Sequence, residues 1–150
     1  MFCGPGFEAG EAFGPVLIAA ARLIGKVSAT SGVANVDPTA VSSIEAEQQR
    51  YSRDELNCTG TVTAGLGVVL LEGVDYIQAN QQRFDYPTLL FYGKHDTLVN
   101  KAGIERFYEA AKNSDKTLLV FENSRHEVFY DVDSEEAMKK VIDWLVTRSK

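Results

Sequence analysis

Two short polar segments hold the residues best suited to acid–base chemistry. Gly93-Lys94-His95-Asp96-Thr97-Leu98-Val99 places a carboxylate at Asp96, and Ser124-Arg125-His126-Glu127 places an imidazole at His126. A carboxylate that accepts Nδ1–H fixes the ring tautomer and stabilises the imidazolium formed when Nε2 takes a proton. With an unperturbed pKa of about 6.5, an imidazole held in this way takes and returns a proton near neutral pH. Each residue also has a plainer role open to it. Asp96 alone would cap a helix beginning near Asn100 or Lys101, and His126 alone would be a surface histidine. Their occurrence together, in that order, favours the pair. His95, beside Asp96, is read as contributing shape or a hydrogen bond.

Such a pair needs two adjacent strand ends to position it. Pro87 introduces Thr88-Leu89-Leu90-Phe91-Tyr92, a continuous apolar run of the kind a fully buried strand shows, and Gly93 ends it. Ile104, Phe107, Tyr108 and Ala111 then recur at helical spacing. After the polar turn Asn113-Ser114-Asp115, Thr117-Leu118-Leu119-Val120-Phe121 forms a second apolar run. Strand, helix and strand with short connections predict a parallel βαβ unit. Parallel neighbours lie about 4.8 Å apart, so the loops after them can bring Asp96 against His126. A last helix follows, with Asp133 and Glu136 as a capping box and Met138, Val141, Ile142 and Leu145 as its buried stripe. Glu135 near its start and Arg148 and Lys150 near its end suit the helix dipole.

Residues 87–150 therefore read as α/β, and residues 1–86 as a separate helical region rich in small side chains. There, Pro15 to Val27 reads as an apolar helix, Asn35-Val36-Asp37-Pro38 as a loop and Ile44 to Tyr51 as a short polar helix. Thr63 is placed to cap a helix reaching about Gln82, with Leu66, Val69, Leu70, Gly73 and Ile77 on one face. Gly65, Gly67 and Gly73 each cost roughly 1 kcal/mol relative to Ala in a helix interior. Their retention implies close backbone packing or a segment that moves.

Composition excludes several classes. Among 150 residues, 45% are hydrophobic and 24% charged, as in an ordinary globular domain. The net charge of −6, without a Lys/Arg cluster, argues against nucleic acid as a partner. Cys3 and Cys58 are isolated, which favours reduced thiols in a cytoplasmic protein. Two histidines and scattered carboxylates offer no metal-ligand spacing, and no organic cofactor is implied. The apolar stretch Val16 to Ala21 is too short to span a bilayer. Glu8 and Glu11 before it have the wrong sign for a signal peptide, despite the cleavage-like Val27-Ser28-Ala29.

The order Asp then His at successive strand ends resembles the C-terminal end of an α/β-hydrolase. The segment from Pro87 to Val99 is similar to the acid-bearing strand and loop of monoacylglycerol lipases and related lysophospholipases. Asp115-Lys116-Thr117-Leu118 and Arg125-His126-Glu127 are similar to that family's base-bearing strand and loop. Phe2-Cys3-Gly4-Pro5 resembles the end of the strand that follows the nucleophile helix, and Pro15 to Gln82 the helical cap. The fold this implies is a partial α/β-hydrolase, its last two parallel core strands with flanking helices preceded by the cap.

The resemblance implies a serine ester hydrolase acting on lipid monoesters, with Asp96 and His126 as acid and base. It makes Val16, Leu17, Ile18, Leu23 and Ile24 candidates to line an acyl site or touch a membrane surface, packing on the core being the alternative. It implies no metal and no cofactor. The departure is equally clear. No G-x-S-x-G elbow occurs in the sequence, so on the family pattern the chain begins after the nucleophile and the oxyanion donors. Ser28, Ser31, Ser42, Ser43, Ser52 and Cys58 do not sit at a strand-to-helix elbow. The rival expectation is a noncatalytic fragment or pseudoenzyme that binds a lipid or a protein, or self-associates through an open sheet edge. A flavodoxin-like nucleotide-binding domain ranks last for want of a phosphate-cradling glycine loop.

Overall fold

A computed structural model describes residues 1–57 and 61–149. Its elements, in chain order, are β1 (Phe2–Cys3), α1 (Pro15–Val27), β2 (Gly32–Ala34), α2 (Pro38–Val41), α3 (Glu45–Arg53), β3 (Val62–Thr63), α4 (Ala64–Asn80), β4 (Thr88–Gly93), α5 (Lys101–Ala110), β5 (Lys116–Phe121) and α6 (Ser134–Arg148). The main sheet is three strands wide in the order β1-β4-β5, and both pairs are parallel. β2 and β3 form a separate antiparallel pair within the helical region.

β4 is the centre of the molecule, and all six of its residues are buried. Side chains alternate across a strand, so Leu90 and Tyr92 face one layer while Leu89 and Phe91 face the other. On the first face they pack with Phe7, Ile104 and Phe107, and the Phe7 and Phe107 rings stack at 4.3 Å. On the second they pack with Phe121, Val128, Ala137 and Val141. Helices α5 and α6 thus cover opposite faces, as expected for a parallel sheet buried on both sides.

The α6 stripe departs from expectation. Ala137 and Val141 are buried, but Met138, Ile142 and Leu145 are each about half exposed, at 48%, 50% and 48%. Residues four apart share a face, so Ala137 and Val141 seat together on Leu89, Phe91 and Phe121. The other three lie further round the helix, beyond a sheet of only three strands, and leave an apolar face open. The capping box is not formed either. Asp133 occupies the N-cap position without a side-chain bond to its own helix. Its carboxylate instead accepts from Asn123 N at 2.9 Å, Asn123 Nδ2 at 3.0 Å and Ser124 Oγ at 2.9 Å.

In the helical region, α1 and α4 pack side by side. Thr63 caps α4 by accepting from Leu66 N at 3.3 Å. A Cβ on Gly65 would stand 2.9 Å from the carbonyl oxygen of Ala29, so close packing excludes a side chain there. Gly73 faces open space, and Val69 is 64% exposed, so neither belongs to a buried stripe. Among the described residues, no helix is long and apolar enough to cross a membrane.

Candidate active site

The loops after β4 and β5 are built one upon the other. His95 N donates to Ser124 O at 3.0 Å, and Lys94 N to Phe121 O at 2.8 Å. Gly93 permits this crossing, because a Cβ there would overlap the carbonyl oxygens of Ser124 and Arg125. The side chains of Asp96 and His126 meet across it, with Oδ2 2.9 Å from Nδ1. The other carboxylate oxygen, Oδ1, accepts from Leu98 N at 2.8 Å and Val99 N at 3.1 Å. The carboxylate is therefore fixed by its own loop and presents one oxygen to the ring.

A carboxylate can only accept, so Nδ1 carries the proton, and in the neutral ring Nε2 then holds the free lone pair. The Asp96 side chain is 1% exposed and the His126 side chain 29%. The carboxylate is thus sealed and the imidazole reachable. Among the described residues, Nε2 has no hydrogen-bond partner. Asp96 does not cap α5, since Asn100 does so by accepting from Ala102 N at 3.0 Å. His95 is exposed, and among the described residues its hydrogen bond is the backbone one to the neighbouring loop.

Two legs of the helical region grip these loops. Gly10 N donates to Leu98 O at 3.0 Å and Ala12 N to Thr97 O at 3.1 Å, beside the Asp96 turn. On the other side, Glu127 N donates to Val41 O at 2.9 Å and the Arg125 guanidinium to Thr39 O. Between α1, α4 and the Asp96 loop lies an apolar cavity of about 280 Å³. Its lining includes Leu17, Ile18, Leu66, Leu70, Leu98 and Val99. That volume is close to the lower end of the range for small-molecule pockets, about 300–1,000 Å³.

Of the five α1 residues expected near an acyl site, Leu17 and Ile18 line the cavity, whereas Val16, Leu23 and Ile24 do not. At 100° per residue one helix face cannot hold all five. Val16 and Leu23 point outward, at 82% and 69% exposure. The α4 side of the cavity was signalled in the sequence only by the apolar run after Thr63.

The alternative nucleophiles are engaged elsewhere. Ser31 Oγ donates to Ser28 Oγ, Ser42 Oγ to Tyr130 O, Ser43 Oγ to Asp131 and Ser52 Oγ to Gln48 O. Cys58 lies outside the described residues. Cys3 is a free thiol on the edge strand β1, its backbone side open and its sulfur turned toward Val128. Enclosure of its sulfur, a stronger influence than the backbone hydrogen bond from Val128, pushes its pKa up to about 11, and the nearby charges of Asp96 and Glu127 add to the effect. A thiol so held is a poor nucleophile near neutral pH.

A parallel sheet covered on both faces, with a carboxylate and an imidazole in contact at adjacent strand ends beside packed helices, has the architecture of an α/β-hydrolase. The chain belongs to the family described as serine aminopeptidase, S33, whose model matches residues 1–133. It is 27% identical over 144 residues to a monoacylglycerol lipase of Mycolicibacterium smegmatis, covering 96% of this chain and 51% of that one. It is 28% identical over 109 residues to the human monoglyceride lipase, covering 73% of this chain and 36% of that one. The crystal structure of Paleococcus ferrophilus monoacylglycerol lipase superposes with a TM-score of 0.89 at 26% identity, covering 98% of this chain and 58% of that one. The chain thus spans between 36% and 58% of the length of these relatives.

Proposed function

We propose that this chain supplies the acid, the base and the acyl-binding cap of a serine ester hydrolase acting on monoacylglycerols or lysophospholipids. The observation that carries the reading is the 2.9 Å contact of Asp96 with His126 Nδ1, which leaves Nε2 open. In this reaction a serine hydroxyl attacks the acyl carbonyl while His126 Nε2 takes its proton. The proton passes to the departing glycerol oxygen as the ester bond breaks. Water then adds to the acyl-enzyme by the same relay, releasing the fatty acid and restoring the serine. Asp96 holds the tautomer and balances the imidazolium charge. The serine and the oxyanion donors would come from the first half of the family fold, since the chain has no G-x-S-x-G.

The apolar cavity suits an acyl chain, and Leu17 and Ile18 would touch it. Val16, Leu23 and Val27 are exposed and share the outer face of α1. That face suits peripheral contact of a cytoplasmic enzyme with the membrane in which its substrate dissolves. The names of the relatives support a monoacylglycerol as substrate, and the relay described here requires no metal or cofactor.

The test is to read the coding sequence upstream of Met1 for an in-frame G-x-S-x-G, express the extended protein and assay monoacylglycerol hydrolysis. Turnover abolished by His126→Ala supports the reading. Turnover that survives this substitution overturns it. A second reading, a noncatalytic lipid-binding or self-associating chain, is favoured by the open edge of β1 and the exposed face of α6. It predicts monoacylglycerol binding or dimerisation by the 150-residue chain without hydrolysis, and a monodisperse monomer that binds no lipid would remove it.

A further inference from the structure

Asp131 lies five residues beyond His126, has no part in the relay, and is 1% exposed. Its carboxylate is nonetheless fully occupied. Oδ2 accepts from Arg125 N at 2.7 Å, Oδ1 accepts from Val132 N at 2.9 Å, and both oxygens lie 3.1 Å from Ser43 N. The Ser43 hydroxyl also donates to Oδ1. One buried carboxylate thus joins the residue immediately before His126 to the leg of the cap.

The residue immediately after His126 is tied to the same leg, through Glu127 N and Val41 O at 2.9 Å. Ser42 Oγ adds a bond to Tyr130 O at 2.8 Å. Both peptide neighbours of His126 are therefore held from the cap side. We propose that Asp131 is a positioning residue that couples the placement of the cap leg to the aim of the His126 ring. This deepens the hydrolase reading and rests on Asp96–His126 being its working pair.

The chemistry requires a carboxylate. An Asp accepts at both oxygens, whereas Asn has one acceptor oxygen and would turn an NH₂ group toward N–H donors. An unmet donor in a buried site destabilises the geometry it was meant to hold. Displacement of the cap leg would then move Arg125, and with it the ring that Asp96 must meet.

The experiment follows the His126 Nδ1–H proton by nitrogen-edited NMR in the 150-residue chain, comparing the native protein with Asp131→Asn and Ser43→Ala. Ser43→Ala removes only a cap-side hydroxyl and keeps the core intact, so it serves if Asp131→Asn fails to fold. At least tenfold faster solvent exchange of Nδ1–H in Ser43→Ala, with the melting transition retained, is the expected result. Exchange within twofold of native in a folded Ser43→Ala overturns the inference. In the extended enzyme both variants should lower kcat more than they raise KM and shift the pH profile. Should His126→Ala abolish turnover while the kcat and pH profile of Ser43→Ala stay native, the coupling fails and the hydrolase reading stands. Should His126→Ala remain active, the hydrolase reading fails whatever Asp131 does.

Discussion

A Cβ on Gly4 would stand 3.2 Å from Nδ1 of His126 and 3.3 Å from its carbonyl oxygen. The backbone at Gly4, just past the end of β1, therefore forms a wall against which the imidazole rests. Gly4 also has φ +47°, the one positive φ among the described residues, while its N–H donates to Phe91 O at 2.9 Å. Gly4→Ala should lower stability by about 1–2 kcal/mol through backbone strain. It should also displace the ring. Urea unfolding reads the first effect and the His126 ring resonances the second. A native spectrum in the variant would show that the wall does not hold the ring.

The proposed relay makes a graded prediction. In the extended enzyme, His126→Ala should abolish hydrolysis, whereas Asp96→Asn should lower kcat by about 10⁴ by disturbing the tautomer. Steady-state kinetics on a soluble monoacylglycerol check both. Equal, small losses in the two variants would contradict the division of roles.

The cavity and the outer face of α1 should separate experimentally. Ile18→Trp puts bulk into the apolar cavity and should weaken binding of long-chain monoacylglycerols at least tenfold relative to short-chain ones. Val16→Ser and Leu23→Ser act on the solvent side and should lower partition onto lipid vesicles. Fluorescence titration measures the first and vesicle co-sedimentation the second.

Acid stability should depend on Asp133. Burial alone would raise its pKa, but the donors from Asn123 and Ser124 outweigh burial and hold the carboxyl below its usual range. A group depressed on folding stabilises the protein above its unfolded pKa of about 3.9. That contribution is lost as the pH falls through the folded value. Asp133→Asn should therefore flatten the fall in stability below about pH 4. Urea midpoints at pH 7, 4 and 3 test this, and parallel curves for both proteins would contradict it.

The α/β half was legible because its strands are uninterrupted apolar runs between Pro87, Gly93 and polar turns. The meeting of Asp96 and His126 could be anticipated because strand ends and residue order together constrain where the two loops lie. The α6 stripe could not be read correctly, since periodicity identifies an apolar face without saying whether a partner covers it. The capping box misled for a related reason. Asp133 has the right spacing to Glu136, but donors from Asn123 and Ser124 compete for its carboxylate and win. Asp131 looked like any loop aspartate, because its partners come from Ser43 and Arg125, far apart in sequence. β2 and β3, three and two residues long, were too short to leave a pattern.

Phe2 pairs with Leu90, and Cys3 with Phe91, so the whole helical excursion begins and ends on neighbouring strands. Closing so long a loop is entropically slow work, and this pairing should form late, after the contiguous β4-α5-β5-α6 segment has collapsed. The closure cost grows only logarithmically, by about 0.6 kcal/mol per doubling of loop length. The excursion can therefore lengthen or shorten with little effect on the sheet, provided its two legs still reach the loops after β4 and β5. Evolution can rebuild the cavity while the footing beneath it stays unchanged.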